Sequence, residues 1–112
     1  MRSEQKRLLD CLDAIEKIQQ KLPIDRAEFE QDEMVQVWVT HHLQIIGEAA
    51  GRLSVRTRNS SDEIPWAQII GKRNILIHDY FGINLDIIWS TAVSFLPELR
   101  MSIEKLIEDL EN

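Results

Sequence analysis

The chain has 112 residues, 44% of them apolar and 29% charged, which is room for one domain with one core and a composition far from that of disordered chains. A net charge of −6 excludes a protein that simply coats nucleic acid, and a single cysteine, Cys11, excludes an internal disulfide and a cysteine-built metal cage. No apolar run approaches a secretory signal core or the roughly 18 residues of a bilayer span, so the expectation is one cytoplasmic domain over residues 1–112, off the membrane.

In chain order, Leu8, Cys11, Leu12, Ile15, Ile18 and Leu22 recur at three- and four-residue intervals among charged residues, and Pro23 should stop the amphipathic helix they define. Residues 25–31 read as a connection with room for a short helical turn capped by Asp25. A second long helix is expected from about Asp32 to Leu53. Val35, Val39, His42, Ile46, Ala49 and Leu53 share one face, and Met34, Trp38, His41, Ile45 and Glu48 share the next, so its apolar arc is wide and its place central. Residues 54–63, with Val55 as their one apolar member before the final acidic pair, read as a loop.

Pro65 suits the first turn of a third helix, which carries Trp66, Ile69 and Ile70 toward the run Arg73-Asn-Ile-Leu-Ile-His-Asp-Tyr80. Gly82 and Asn84 mark its exit and the next cap. Helical spacing resumes from Leu85 to Leu110, and Pro97 either kinks that stretch or starts a new helix. No alternating strand pattern of useful length occurs. The expected fold is all-α, an antiparallel bundle of four to five helices.

Charge is unevenly spread. Residues 1–50, 51–80 and 81–112 carry balances of −4, +2 and −4, so an anionic ligand should meet the protein at the middle third, among Arg52, Arg56, Arg58, Lys72 and Arg73. Within that third, Arg73, His78 and Tyr80 form the pattern Arg, four residues, His, one residue, Tyr. Positions five apart on a regular helix point about 140° apart, so Arg73 and His78 meet only where the helix loosens or where two chains share a site. Asn74 and His78, four apart, can share a face.

An imidazole that exchanges protons near neutrality and a guanidinium that grips phosphate are sufficient in principle for metal-independent RNA cleavage. Spacing alone favours a plainer reading, a helix-end cap and a surface arginine. Tyr80 by itself reads as an amphipathic residue with a packed ring, and Asp79 as a helix-end residue or one that orients a neighbour. His41 and His42 are adjacent and point about 100° apart, which argues against a metal site; no cofactor is expected. Trp38, Trp66 and Trp89 read as core, with base stacking as the alternative. Glu48, among apolar neighbours, needs a cationic partner if buried, for which Arg73 is the candidate; the alternative is a solvated glutamate.

Four runs carry a resemblance, in order along the chain: Phe29-Glu-Gln-Asp32, Ile45-Ile-Gly-Glu-Ala-Ala50, Ile64-Pro-Trp66 and Gly71-Lys-Arg-Asn-Ile-Leu-Ile-His-Asp-Tyr80. Through them the chain resembles, over nearly its whole length, the HepT-like toxins of the HEPN superfamily. The resemblance implies a HEPN-like helical bundle that pairs as a homodimer with the motif helices near the two-fold axis. It also implies a ribonuclease toxin with Arg73 and His78 catalytic, Asn74, Asp79 and Glu48 supporting, and Lys72, Arg52 and Arg56 as RNA-binding cations. The implied partners are RNA and a minimal nucleotidyltransferase (MNT) antitoxin that transfers AMP to Tyr80. A non-catalytic module that binds a nucleotide or the nucleotidyltransferase is the competing reading.

Overall fold

The computed structural model describes residues 3–22, 25–71 and 84–111, and these are helical with no strand among them. Helix α1, Glu4–Lys21, starts where the Ser3 hydroxyl accepts from the Lys6 amide at 3.1 Å, leaving one fewer orphan donor in the first turn. It buries Leu8, Cys11, Ala14, Ile15 and Ile18, the stripe its spacing predicts, and it ends with the Leu22 amide bonded to the Gln19 carbonyl.

Asp25 and Asp32 then act as successive caps, accepting from the amides of Glu28 at 2.8 Å and Val35 at 3.1 Å. They start α2, Arg26–Gln31, and α3, Glu33–Gly51. The short α2 is held from outside, as a helix of that length must be. Phe29 is fully buried against Trp89 with ring centroids 5.2 Å apart, the Gln36 side-chain Nε2 donates to the Phe29 carbonyl at 2.9 Å, and Arg26 pairs with Glu30 and with Asp86.

Helix α3 buries Val39, His42, Ile46, Ala49 and Ala50, one face of the wide arc. The other face differs from expectation: Met34 is 84% exposed, and His41 and Glu48 are also exposed. The loop expected over residues 54–63 contains a helix, α4, Val55–Asn59. Residues 66–71 are the described part of α5, whose first turn bonds back from the Ile69 amide to the Pro65 carbonyl at 3.1 Å. Proline therefore stands just before the helix rather than inside its first turn.

Asn84 caps α6, Leu85–Ser90, by accepting from the Ile87 amide at 3.2 Å. The chain then continues through a π-helical turn, Thr91–Phe95, into α7, Leu96–Glu111. Pro97 was expected to kink this stretch or start a new helix, and it stands in the first turn of α7. The widened turn just before it hands the Leu96 amide to the Thr91 carbonyl, so the missing proline donor falls where the ordinary ladder is already interrupted.

Cross-links fix the arrangement. Glu4 meets Ser54, Cys11 meets Ile46 and Trp38 meets Lys17, so α1 and α3 are antiparallel. Gln5 meets Glu111 and Gln19 meets Arg100, so α1 and α7 are antiparallel too. The predicted bundle is present, with α1 between α3 and α7. The shared core includes Leu8, Ile15, Ile18, Ile46, Leu99 and Ile103, each a Leu or Ile contributing about 1.5–3 kcal/mol by burial. Among the described residues no helix is long and apolar enough to cross a membrane.

Candidate functional site

The sequence places the proposed chemistry in residues 72–80. Lys72, Arg73, Asn74, His78, Asp79 and Tyr80 all lie outside the described residues, as does the exit expected at Gly82. What is described is the protein on either side: α4 and α5 leading up to that segment, and the Asn84 cap following it.

On the approach side stand three arginines. Arg52 caps the end of α3 and is 62% exposed; Arg56 is exposed on α4. Arg58, also on α4, is half-buried, and its Nε makes no hydrogen bond among the described residues. All three fall within seven consecutive positions and form the described part of the cationic stretch expected from the charge distribution, here called the arginine shoulder. Arg52 also reaches back one turn to Glu48, Nη2 to Oε1 at 2.9 Å.

Glu48 thus has a cationic partner, and it is Arg52. With 49% of its side chain exposed, Glu48 is not the buried carboxylate for which Arg73 was the candidate, so the physical need for that second cation falls away. The two residues border a groove between α1 and α3 also lined by Arg7, Asp10, Asp13, Ile45 and Ala49. Its signs are mixed, which suits it poorly to hold a phosphate by itself; Arg56 and Arg58 lie beyond it on α4.

The backbone beneath this shoulder is tied from two sides. At its start, Glu4 Oε1 accepts from the Ser54 amide at 2.7 Å and from the Thr57 hydroxyl at 3.1 Å. At its end, the Trp66 indole N–H donates to the Arg58 carbonyl at 3.1 Å, which makes Trp66 a buried anchor rather than a base-stacking surface. Partial burial pushes the Glu4 carboxyl up, but the bonds from Ser54 and Thr57, with the nearby charge of Arg7, outweigh that and hold it below the ordinary value. Sequence reasoning missed Glu4 altogether, because its partners are 50 and more positions away.

His42 and Cys11 have structural duties. His42 is buried, its Nδ1 2.8 Å from the Trp38 carbonyl. The Cys11 thiol is pushed up to about 12 by burial, with Asp10 adding to the shift, and it faces the Ile46 carbonyl at 3.8 Å; it is held as a neutral thiol. Among the described residues no group of three His, Cys, Asp or Glu side chains could hold a metal ion.

A family model described as Ribonuclease HepT-like matches residues 11–106. The chain belongs to that family, within the HEPN superfamily. A Caldanaerobacter subterraneus subsp. tengcongensis protein provisionally named an RNase is 34% identical over 101 residues, covering 90% of this chain and 88% of its own. A Thermococcus cleftensis protein provisionally named ribonuclease HepT is 35% identical over 106 residues, 94% of this chain and 96% of that one. A Methanocaldococcus jannaschii protein, also provisionally named an RNase, is 38% identical over 84 residues, 75% and 69% of the two chains. No solved structure matches. The HepT-like match runs through α4, the arginine shoulder and the Arg73 to Tyr80 run, ending in α7.

Proposed function

We propose that this HepT-like chain is a metal-independent endoribonuclease, the toxin of a pair whose antitoxin is a minimal nucleotidyltransferase. The observation that carries the reading is the family match over residues 11–106, a stretch that contains Arg73, His78 and Tyr80. The exposed arginines 52 and 56 on the approach to that run support it, since RNA binding needs cations that water, and therefore phosphate, can reach.

In this mechanism the ribose 2′-oxygen attacks the adjacent phosphorus while His78 takes its proton, or His78 returns a proton to the departing 5′-oxygen. Arg73 stabilises the charge that gathers on the non-bridging oxygens. The P–O5′ bond breaks as the P–O2′ bond forms, so the products are a 2′,3′-cyclic phosphate and a 5′-hydroxyl. A homodimer would bring two copies of the run together at its axis, which answers the angular separation of Arg73 and His78 on a regular helix. Asn74 and Asp79 would orient His78, and Lys72, Arg52 and Arg56 would hold the flanking backbone.

Adenylylation of Tyr80 by the antitoxin would place a bulky anion two residues from His78, where it competes with RNA for Arg73. The test is cleavage of a labelled RNA in excess chelator by the parent, His78→Ala and Arg73→Ala, with intact mass measured after co-expression with the nucleotidyltransferase. The expected outcome is cleavage by the parent alone and a mass increase of AMP that Tyr80→Phe abolishes. Intact RNA with the parent overturns the nuclease reading, activity lost to the chelator overturns its metal-independent mechanism, and an unchanged mass overturns the regulatory reading.

A further inference from the structure

Helix α4 begins with half of a capping box. In such a box the first residue's hydroxyl bonds the amide three positions on, while a Glu or Gln at that third position reaches back to the first residue's own amide. Here Ser54 Oγ accepts from the Thr57 amide at 3.1 Å, but the third position is Thr57, which cannot perform the return bond of a glutamate. The missing carboxylate comes from Glu4, at the start of α1, which takes both the Ser54 amide and the Thr57 hydroxyl. Ser54 Oγ and Thr57 Oγ1 are themselves 3.0 Å apart, so the five groups close into one network.

We infer that Glu4 is a positioning residue for RNA: by completing the cap of α4 across the bundle, it holds the Arg52 to Arg58 shoulder in the orientation that meets the substrate backbone. The inference rests on the ribonuclease reading and deepens it. A five-residue helix has no independent stability, so the direction in which Arg56 and Arg58 project depends on what grips its ends. One grip is the Trp66 bond to the Arg58 carbonyl. The other is Glu4, whose two bonds reach Ser54, between Arg52 and Arg56 in the chain, and Thr57, between Arg56 and Arg58.

Glu4 itself touches no substrate in this scheme. Its loss leaves the proton-transfer groups alone and loosens the cations, so substrate binding weakens while turnover stays. The experiment measures kcat and KM on a short RNA, and Kd for its uncleavable 2′-O-methyl counterpart, in the parent, Glu4→Ala, Glu4→Gln and Leu99→Ala. Leu99 is a buried residue of α7 next to Arg100, which meets Gln19 at the far end of α1, so Leu99→Ala controls for lost stability alone.

Glu4→Ala is expected to raise KM and Kd about three- to tenfold, the scale of one or two lost hydrogen bonds, with kcat within about twofold. Glu4→Gln, whose amide oxygen can still accept both bonds, should stay near the parent, and Leu99→Ala should melt earlier with KM unchanged. Should Glu4→Ala not fold, Thr57→Val removes one of the two bonds and should give a smaller rise in KM. Unchanged KM in Glu4→Ala, or an equal rise in Leu99→Ala, overturns the positioning role while leaving the nuclease in place. A parent that neither binds nor cleaves RNA overturns the ribonuclease reading beneath it.

Discussion

The seam between α1 and α3 changes character along its length. At its middle, Cys11 and Ile46 meet among Leu8, Ile15 and Val39, all nearly or fully buried, and the attraction is non-directional burial. At its end, where Glu4 meets Ser54 and Thr57, the contact consists of a few oriented bonds. The first kind of contact tolerates a change of shape if volume is kept. The second depends on particular atoms and sits under the surface that would meet substrate. Stability should therefore be concentrated in the middle of the seam and orientation of the arginine shoulder at its end.

The strongest way to break that contrast is to open the middle. Ile15 is fully buried in α1, and Ile15→Ala should cost about 2–5 kcal/mol in chemical denaturation, whereas Ile15→Val should cost about 0.5–1.5 kcal/mol. If the arginine shoulder is oriented from the end of the seam, the surviving folded Ile15→Val protein should bind RNA as the parent does. A weaker but sharper intervention is Ser54→Ala, which deletes the cap hydroxyl of α4 while keeping the amide that Glu4 holds. Loss of a capping hydroxyl costs about 0.5–2 kcal/mol, and hydrogen exchange should quicken at the Thr57 amide before it changes at Ile46.

These two regions were unequally legible in the amino-acid sequence. The middle of the seam is written in periodicity: Leu8, Cys11, Ile15 and Ile18 on one helix, Val39, His42, Ile46 and Ala49 on the other, as observed. Asp25 announced α2 for the same local reason, a capping residue three positions before the amide it serves. Helix α4 was read as loop because its segment is polar and its cap is completed from Glu4, which no local window contains. The π-helical turn at Thr91–Phe95 left no signature either, since one widened turn does not disturb the apolar spacing around it. For the site, charge counting pointed to the middle third, where Arg52 and Arg56 are exposed, and Glu48 proves to be the exposed glutamate of the alternative reading, with Arg52 one turn on as its partner. Arg73, His78 and Tyr80 gained their roles from family resemblance, their spacing alone being unremarkable.

Acid should separate the regions as well. Because the folded protein holds the Glu4 carboxyl below its ordinary value, the bonds from Ser54 and Thr57 add stability above that value. They lose it as pH falls through the lowered one, where the carboxylate takes up a proton. Melting temperature followed from neutrality into this acid range should fall, and Glu4→Gln, which has no proton to gain, should fall less. Equal slopes in the two proteins would mean that carboxylates elsewhere carry the whole acid response. The buried middle supplies the contrast: the Cys11 thiol, pushed up to about 12, should react with a thiol reagent in the folded protein only as fast as the fold opens.

The smallest expected effect on stability concerns Glu48 and Arg52. They form an exposed pair one helical turn apart, and such pairs contribute about 0.3–0.5 kcal/mol. Glu48→Ala should therefore barely move the denaturation midpoint. On RNA the two members of the pair should act oppositely. Arg52→Ala removes a cation that the substrate backbone would neutralise, so it should weaken binding across sequences and reduce the slope of log Kd against log salt by about one. Glu48→Ala removes a carboxylate that competes with phosphate for the same guanidinium, so binding should tighten modestly with the salt slope kept. If both substitutions weaken RNA binding equally, the pair acts as a structural unit, and the arginine shoulder begins at Arg56 rather than at Arg52.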